Sequence, residues 1–150
     1  MGKRKREMST GFVEALKEAF PVLPCPSVKE IIFNNCPCES CAFVRASLGG
    51  LRWDQISKEV IQKLKLDLSH LSIAGFRYYI PAYLHLAYET AETGLLGLVD
   101  WIVFSFDPAV HSPKEFTSEQ RQVIFRFLNW AGTRLRNEDA KRYAEFWKQA

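Results

Sequence analysis

Phe76-Arg77-Tyr78-Tyr79-Ile80-Pro81-Ala82-Tyr83-Leu84-His85-Leu86-Ala87 is the stretch on which the fold class turns. Its apolar and aromatic side chains recur at 76, 79, 80, 83, 84 and 87, a three-and-four spacing that lines one face of an α-helix. Ser72 stands upstream as a cap. Pro81 removes a backbone N–H and crowds the turn before it. The apolar spacing runs through it, which predicts a kinked helix rather than a new one starting at Pro81.

The same period recurs on both sides. Phe12, Leu16 and Phe20 mark a first helix capped by Ser9 or Thr10 and stopped by Pro21. Pro21 to Pro26 reads as an extended connector, followed by a short helix from Ser27 and turn chemistry over Asn34 to Pro37. From Glu39 a helix carries Cys41, Val44 and Leu48 and stops at Gly49-Gly50. Trp53, Ile56, Val60 and Leu64 predict another, and Asp67 to Leu71 a connector.

Leu95 to Phe106 is apolar on nearly all sides, as a central helix would be, with a buried strand as the alternative. Asp107-Pro108 and Ser112-Pro113 bracket a loop. Thr117 with Gln120 is a capping box ahead of Ile124, Phe127, Leu128, Ala131 and Leu135. Asn137 caps a last helix bearing Ala140, Tyr143, Ala144 and Trp147. The expectation is an all-α chain: a compact single-domain bundle of about six to eight helices over residues 9–150, behind a flexible basic arm at 1–8.

Composition agrees with a folded domain. The 150 residues are 47% hydrophobic and 13% aromatic, which argues against disorder. The net charge of +3 is local. Lys3, Arg4, Lys5 and Arg6 stand against Glu7 alone, and the remaining 142 residues carry sixteen basic and sixteen acidic side chains. A neutral body lacks the basic face that a nucleic-acid backbone demands, so only the arm offers that contact. No signal sequence or membrane-spanning run is visible, and four cysteines, three of them crowded, do not make a disulfide scaffold. The expected location is the cytoplasm.

The sharpest chemical signal is Cys36-Pro37-Cys38-Glu39-Ser40-Cys41, with Cys25 upstream. Four thiolates can hold a tetrahedral zinc, and Cys38-x-x-Cys41 has the spacing of one zinc half-site. The close Cys36-x-Cys38 step departs from the usual two separated pairs. A thiol redox reading uses Cys38 at a helix N-terminus, where a thiolate is favoured. The third reading is structural, with Cys41 and Cys25 as small buried hydrophobes.

His70, His85 and His111 have no Cys, Asp or Glu at metal-site spacing. Asp100, inside the most apolar segment, calls for a partner, and Arg77 is the candidate. No phosphate loop, nucleophile elbow or other catalytic constellation is legible. Arg77, Tyr78 and Tyr83, at the Pro81 kink, are the candidate anchors for another protein.

From Cys38 onward the chain resembles a family of small, mostly bacterial proteins known as a domain of unknown function. The resemblance rests on Cys38-x-x-Cys41, Trp53, Leu71-Ser72 and Phe76 to Leu84 with its Phe-Arg-Tyr-Tyr-x-Pro-Ala motif, then Gln122, Phe127-Leu128 and a helix ending in Trp147. It implies a helical fold and brings no catalytic residue or cofactor. The functional expectation is a non-catalytic protein-binding module, in a bacterial setting an immunity or accessory protein that occludes its partner. The alternatives are a zinc or thiol redox protein built on Cys25, Cys36, Cys38 and Cys41, and nucleic-acid binding through the N-terminal arm.

Overall fold

A computed structural model describes the backbone of residues 2–33, 36–91 and 96–149, and the side chains of these except 2–10, 65–67, 96 and 149. The fold is all-α. Seven α-helices lie among the described residues: α1 (Gly2–Ala19), α2 (Glu39–Leu48), α3 (Lys58–Leu64), α4 (Ile73–Thr90), α5 (Leu96–Ser105), α6 (Ser118–Arg134) and α7 (Glu138–Gln149). The one extended pairing among them is an isolated antiparallel bridge between Ile32 and Leu71. None of the described helices is long and apolar enough to cross a membrane.

Two compact units divide the chain, Val22–Tyr83 and the pair of segments Met1–Pro21 and Leu84–Ala150. In the Val22–Tyr83 unit, α2 runs as its signals dictate, from Cys38 as N-cap to Gly49-Gly50. Gly50 adopts φ 79°, in the left-handed region that terminates helices and suits glycine. The helix expected from Trp53 to Leu64 is broken. A 3₁₀ turn, Trp53–Gln55, is closed by the Gln55 side chain accepting the Arg52 N–H at 3.2 Å. Ile56 is then extended, and Ser57 Oγ accepts the Val60 N–H at 3.3 Å to start α3. Residues expected as a connector form a second 3₁₀ turn, Lys65–His70. The short helix expected from Ser27 is a single turn, with Glu30 N–H bonded to Ser27 O at 3.0 Å.

Ser72 caps α4 as read, accepting the Gly75 N–H at 3.0 Å. It also fastens the crossing chain: its hydroxyl donates to Glu30 O and its N–H donates to Ile31 O at 2.9 Å. Gly75 allows this approach, since a Cβ there would stand 3.0 Å from Ile31 Cα and closer still to Ile31 O. α4 then continues through Pro81 to Thr90. Its Tyr79 hydroxyl, buried, donates toward Leu48 O at 2.9 Å and Leu51 O at 3.0 Å, satisfying carbonyls at the end of α2. Tyr78 donates to Val22 O at 2.6 Å and accepts the Trp53 N–H at 3.3 Å.

The other unit holds α1, the last turns of α4, and α5 to α7. α1 begins at Gly2 rather than at a Ser9 or Thr10 cap, so the backbone expected as an arm at 2–8 is helical. The side chains of Lys3 to Arg6 lie outside those described, as do Asn34, Asn35 and the residue Leu95 at which the apolar helix was expected to start. Phe12 stacks on Tyr88 at 4.7 Å and lies 6.4 Å from Phe127.

The Thr117–Gln120 capping box forms, and Gln120 Nε2 also donates to Ala19 O at 3.1 Å, holding the end of α1. α6 and α7 make a tight hairpin. Arg136 turns with φ 56°, Asn137 Oδ1 caps α7 through Ala140 N–H at 2.9 Å, and Gly132 leaves room for Lys141. Trp147 donates to Phe106 O at 2.8 Å and packs against Phe106 and Phe116. α5 is one-sided rather than apolar all round in its setting: Leu98, Val99, Ile102 and Val103 are buried, while Gly97, Asp100 and Phe104 face solvent.

Candidate metal centre

Cys38 occupies the N-cap of α2 with extended backbone (φ −64°, ψ 161°), and its sulfur accepts the Cys41 N–H at 3.4 Å. The three-residue step carries Cys41 to the same side of the first helical turn. Cys36, two residues earlier, is drawn in by its own carbonyl, which accepts from Arg45 Nη2 at 3.2 Å. The sulfurs of Cys36, Cys38 and Cys41 consequently all lie within 4.8 Å of one another. Sulfurs bound to one tetrahedral zinc at about 2.3 Å stand about 3.8 Å apart. Each edge of the trio therefore needs to shorten by about one ångström at most.

Another potential donor, His70, stands beside Cys41, outside the group of three mutually close sulfurs. α2 packs against the 3₁₀ turn Lys65–His70. Its last residue places His70 Nδ1 3.3 Å from Cys41 Sγ. Exposure is graded across the group: Cys38 is exposed, Cys36 and His70 are half-buried, and Cys41 is buried.

The environment divides the thiols. Cys38 is held below the usual thiol range, foremost by the Cys41 N–H aimed at its sulfur and then by the thiols of Cys41 and Cys36. Burial pushes Cys41 up to about 12, with the neighbouring Cys38 and Cys36 acting in the same direction. A divalent cation among the sulfurs reverses that mutual repulsion and stabilises all three as thiolates.

Residues 39–150 match the model of a family of unknown function (DUF6714). The chain belongs to this family. The DUF6714 match takes in Cys41, His70 and the Phe76 to Ala82 block, while Cys36 and Cys38 precede it. No curated protein and no solved structure matches the chain.

Of the four cysteines read as candidate ligands in this DUF6714 member, Cys25 is not with the others. Its thiol donates to Leu51 O at 3.4 Å and lies 4.0 Å from Tyr79 Oη. The partner-contact candidates also separate. Tyr83, 1% exposed, belongs to the core and is no surface anchor. Tyr78 is half-buried, with its hydroxyl engaged by Val22 and Trp53, and Arg77 is half-buried beside it. Burial pushes Tyr78 up to about 12, with Cys25 and Asp54 adding to it and the Trp53 N–H opposing.

Asp100 is exposed rather than buried, and it accepts from Nδ2 of Asn137, the residue that caps α7, at 2.7 Å. His85 and His111 pair with Glu89 and Glu115, four residues on along the chain. Spacing along the chain missed His70, because it lies twenty-nine positions beyond Cys41. The available signal was its place just before the Leu71-Ser72 cap, which ties that turn to a fixed position.

Proposed function

We propose that this chain is a zinc-binding helical protein in which Cys36, Cys38 and Cys41 hold the ion at the N-terminus of α2. The observation that carries the reading is the convergence of the three sulfurs within 4.8 Å. Thiolates are soft donors that select zinc over magnesium or calcium, and the positive end of a helix favours their charged form. The zinc reading needs no contribution from Cys25.

Zinc titration of the chain and its single serine variants tests it. Cys36→Ser, Cys38→Ser and Cys41→Ser each weaken binding strongly, and Cys25→Ser binds as the parent does. Equal binding by all four variants removes the proposed ligand set.

A second reading, a non-catalytic protein-binding module, is favoured by Phe33 and Phe43, which flank the cysteines in sequence and are 59% and 45% exposed. Aromatic side chains of this kind serve as interface anchors. Replacing both by serine abolishes co-purification of a partner from the native host under this reading. Unchanged co-purification removes them from the contact.

A further inference from the structure

We infer that His70 is the fourth ligand of the zinc, which makes the site a closed Cys3His centre and gives the metal a structural role. The inference rests on the zinc-binding reading above and settles what that site is for. Three protein ligands leave a coordination position for water or a substrate, whereas four close the tetrahedron and leave the ion to hold chain segments together.

Geometry supplies one edge of the closed site, between Cys41 and His70; the imidazole does not lie within 4.8 Å of all three sulfurs, so its ring moves toward them when the ion binds. A sulfur and an imidazole nitrogen on one tetrahedral zinc stand about 3.6 Å apart, given bond lengths of about 2.3 and 2.0–2.1 Å. Cys41 Sγ and His70 Nδ1 are 3.3 Å apart. His70 is also held in place from both sides. Leu68 and Leu71 are buried, the Leu71 N–H closes the turn on Leu68 O at 3.2 Å, and Leu71 bridges Ile32. The backbone at the end of such a turn is fixed before the metal arrives, which leaves only the imidazole ring to be ordered by binding.

Charge points the same way. Zinc with three thiolates carries one net negative charge, and a neutral imidazole keeps it at one. A fourth thiolate would double it in a site whose Cys41 is buried, where uncompensated charge is costly. Cys25, the remaining thiol, is bonded to Leu51 O instead. The resulting centre clamps the start of α2 to the turn ahead of α4, two pieces of the Val22–Tyr83 unit that are far apart along the chain.

The test is zinc X-ray absorption of the intact chain, His70→Ala and His70→Cys, together with zinc affinity by chelator competition. The parent shows three sulfurs and one imidazole. Loss of an outer-shell partner alone costs ten- to a hundredfold in metal affinity, so His70→Ala loses about a hundredfold or more and its imidazole signature. His70→Cys restores a four-coordinate site with four sulfurs, and it decides the matter if His70→Ala fails to fold.

Zinc bound by the parent with sulfur ligands and no imidazole, or His70→Ala binding at parental affinity, overturns the inference and leaves the three-cysteine reading standing. A His70→Cys chain that folds around zinc with three sulfurs overturns it equally. A parent that binds no zinc at all removes both, and reduces the 3.3 Å contact to a thiol–imidazole hydrogen bond.

Discussion

Replacing Gly75 by alanine sets two physical effects against each other, and the structure decides the sign. Alanine is the better helix former by about 1 kcal/mol in a helix interior, and less in the first turn, where Gly75 lies. Against that, the new Cβ meets the backbone of Ile31, 3.0 Å from its Cα and closer to its carbonyl oxygen. Backbone cannot rotate away as a side-chain tip can. The segment must retreat by several tenths of an ångström, while Ser72 holds it through Glu30 O and Ile31 O, and Leu71 through Ile32.

Overpacking of this kind costs about 1–3 kcal/mol, and a weakened hydrogen bond adds about 1. The net loss is about 2 kcal/mol, or roughly 4–8 °C in Tm for a chain of this size. Gly97→Ala is the internal control. Gly97 is exposed in the first turn of α5 and nothing lies within 4 Å of its added Cβ, so that variant is neutral or more stable by less than about 1 kcal/mol. Urea denaturation of both variants in the same metal state reads the difference as a shift of midpoint. Gly75→Ala as stable as the parent, or more so, refutes the close crossing of α4 by the Glu30–Ile32 chain.

The remaining predictions concern the caps and the tyrosines. Thr117→Ala costs about 1 kcal/mol through loss of the α6 cap, and Gln120→Ala costs more, about 1–3, because Ala19 O loses its buried donor as well. Denaturation midpoints in that order check the dual role of Gln120, and equal losses contradict it. With the Tyr78 phenol raised, the fold favours its protonated form. Its contribution is therefore whole below the unfolded phenol's value of about 10 and is lost as pH climbs from there toward 12. Stability measured across that window falls, and Tyr78→Phe makes the fall shallower. A parental slope in the variant contradicts the assignment.

Local signals were legible where they were complete. Glu39–Leu48 begins after Cys38 and ends at Gly49-Gly50, and Ser118–Arg134 and Glu138–Gln149 begin where Thr117 with Gln120, and Asn137, place them, because each start carries its own cap. Trp53 to Leu64 kept the helical period but was cut, since Gln55 and Ser57 each satisfy backbone N–H groups locally and offer the chain a turn instead.

Asp100 looked buried from its apolar neighbours in sequence, yet the helical period of α5 turns that position outward. The candidate metal centre was half legible. Cys36, Cys38 and Cys41 are neighbours in the chain, and a helix N-cap gathers them. His70 comes within 3.3 Å of Cys41 through the packing of α2 on the Lys65–His70 turn, and Cys25 is held away by its bond to Leu51 O. Both depend on which segments meet in space, which spacing along one chain does not encode.

Elemental analysis of the intact chain, purified without added metal and without chelator, puts the zinc assignment to its plainest trial. About one equivalent of zinc per chain, lost on acidification as the thiolates take up protons, is the predicted result. A folded chain that carries no zinc and takes none up from solution contradicts it.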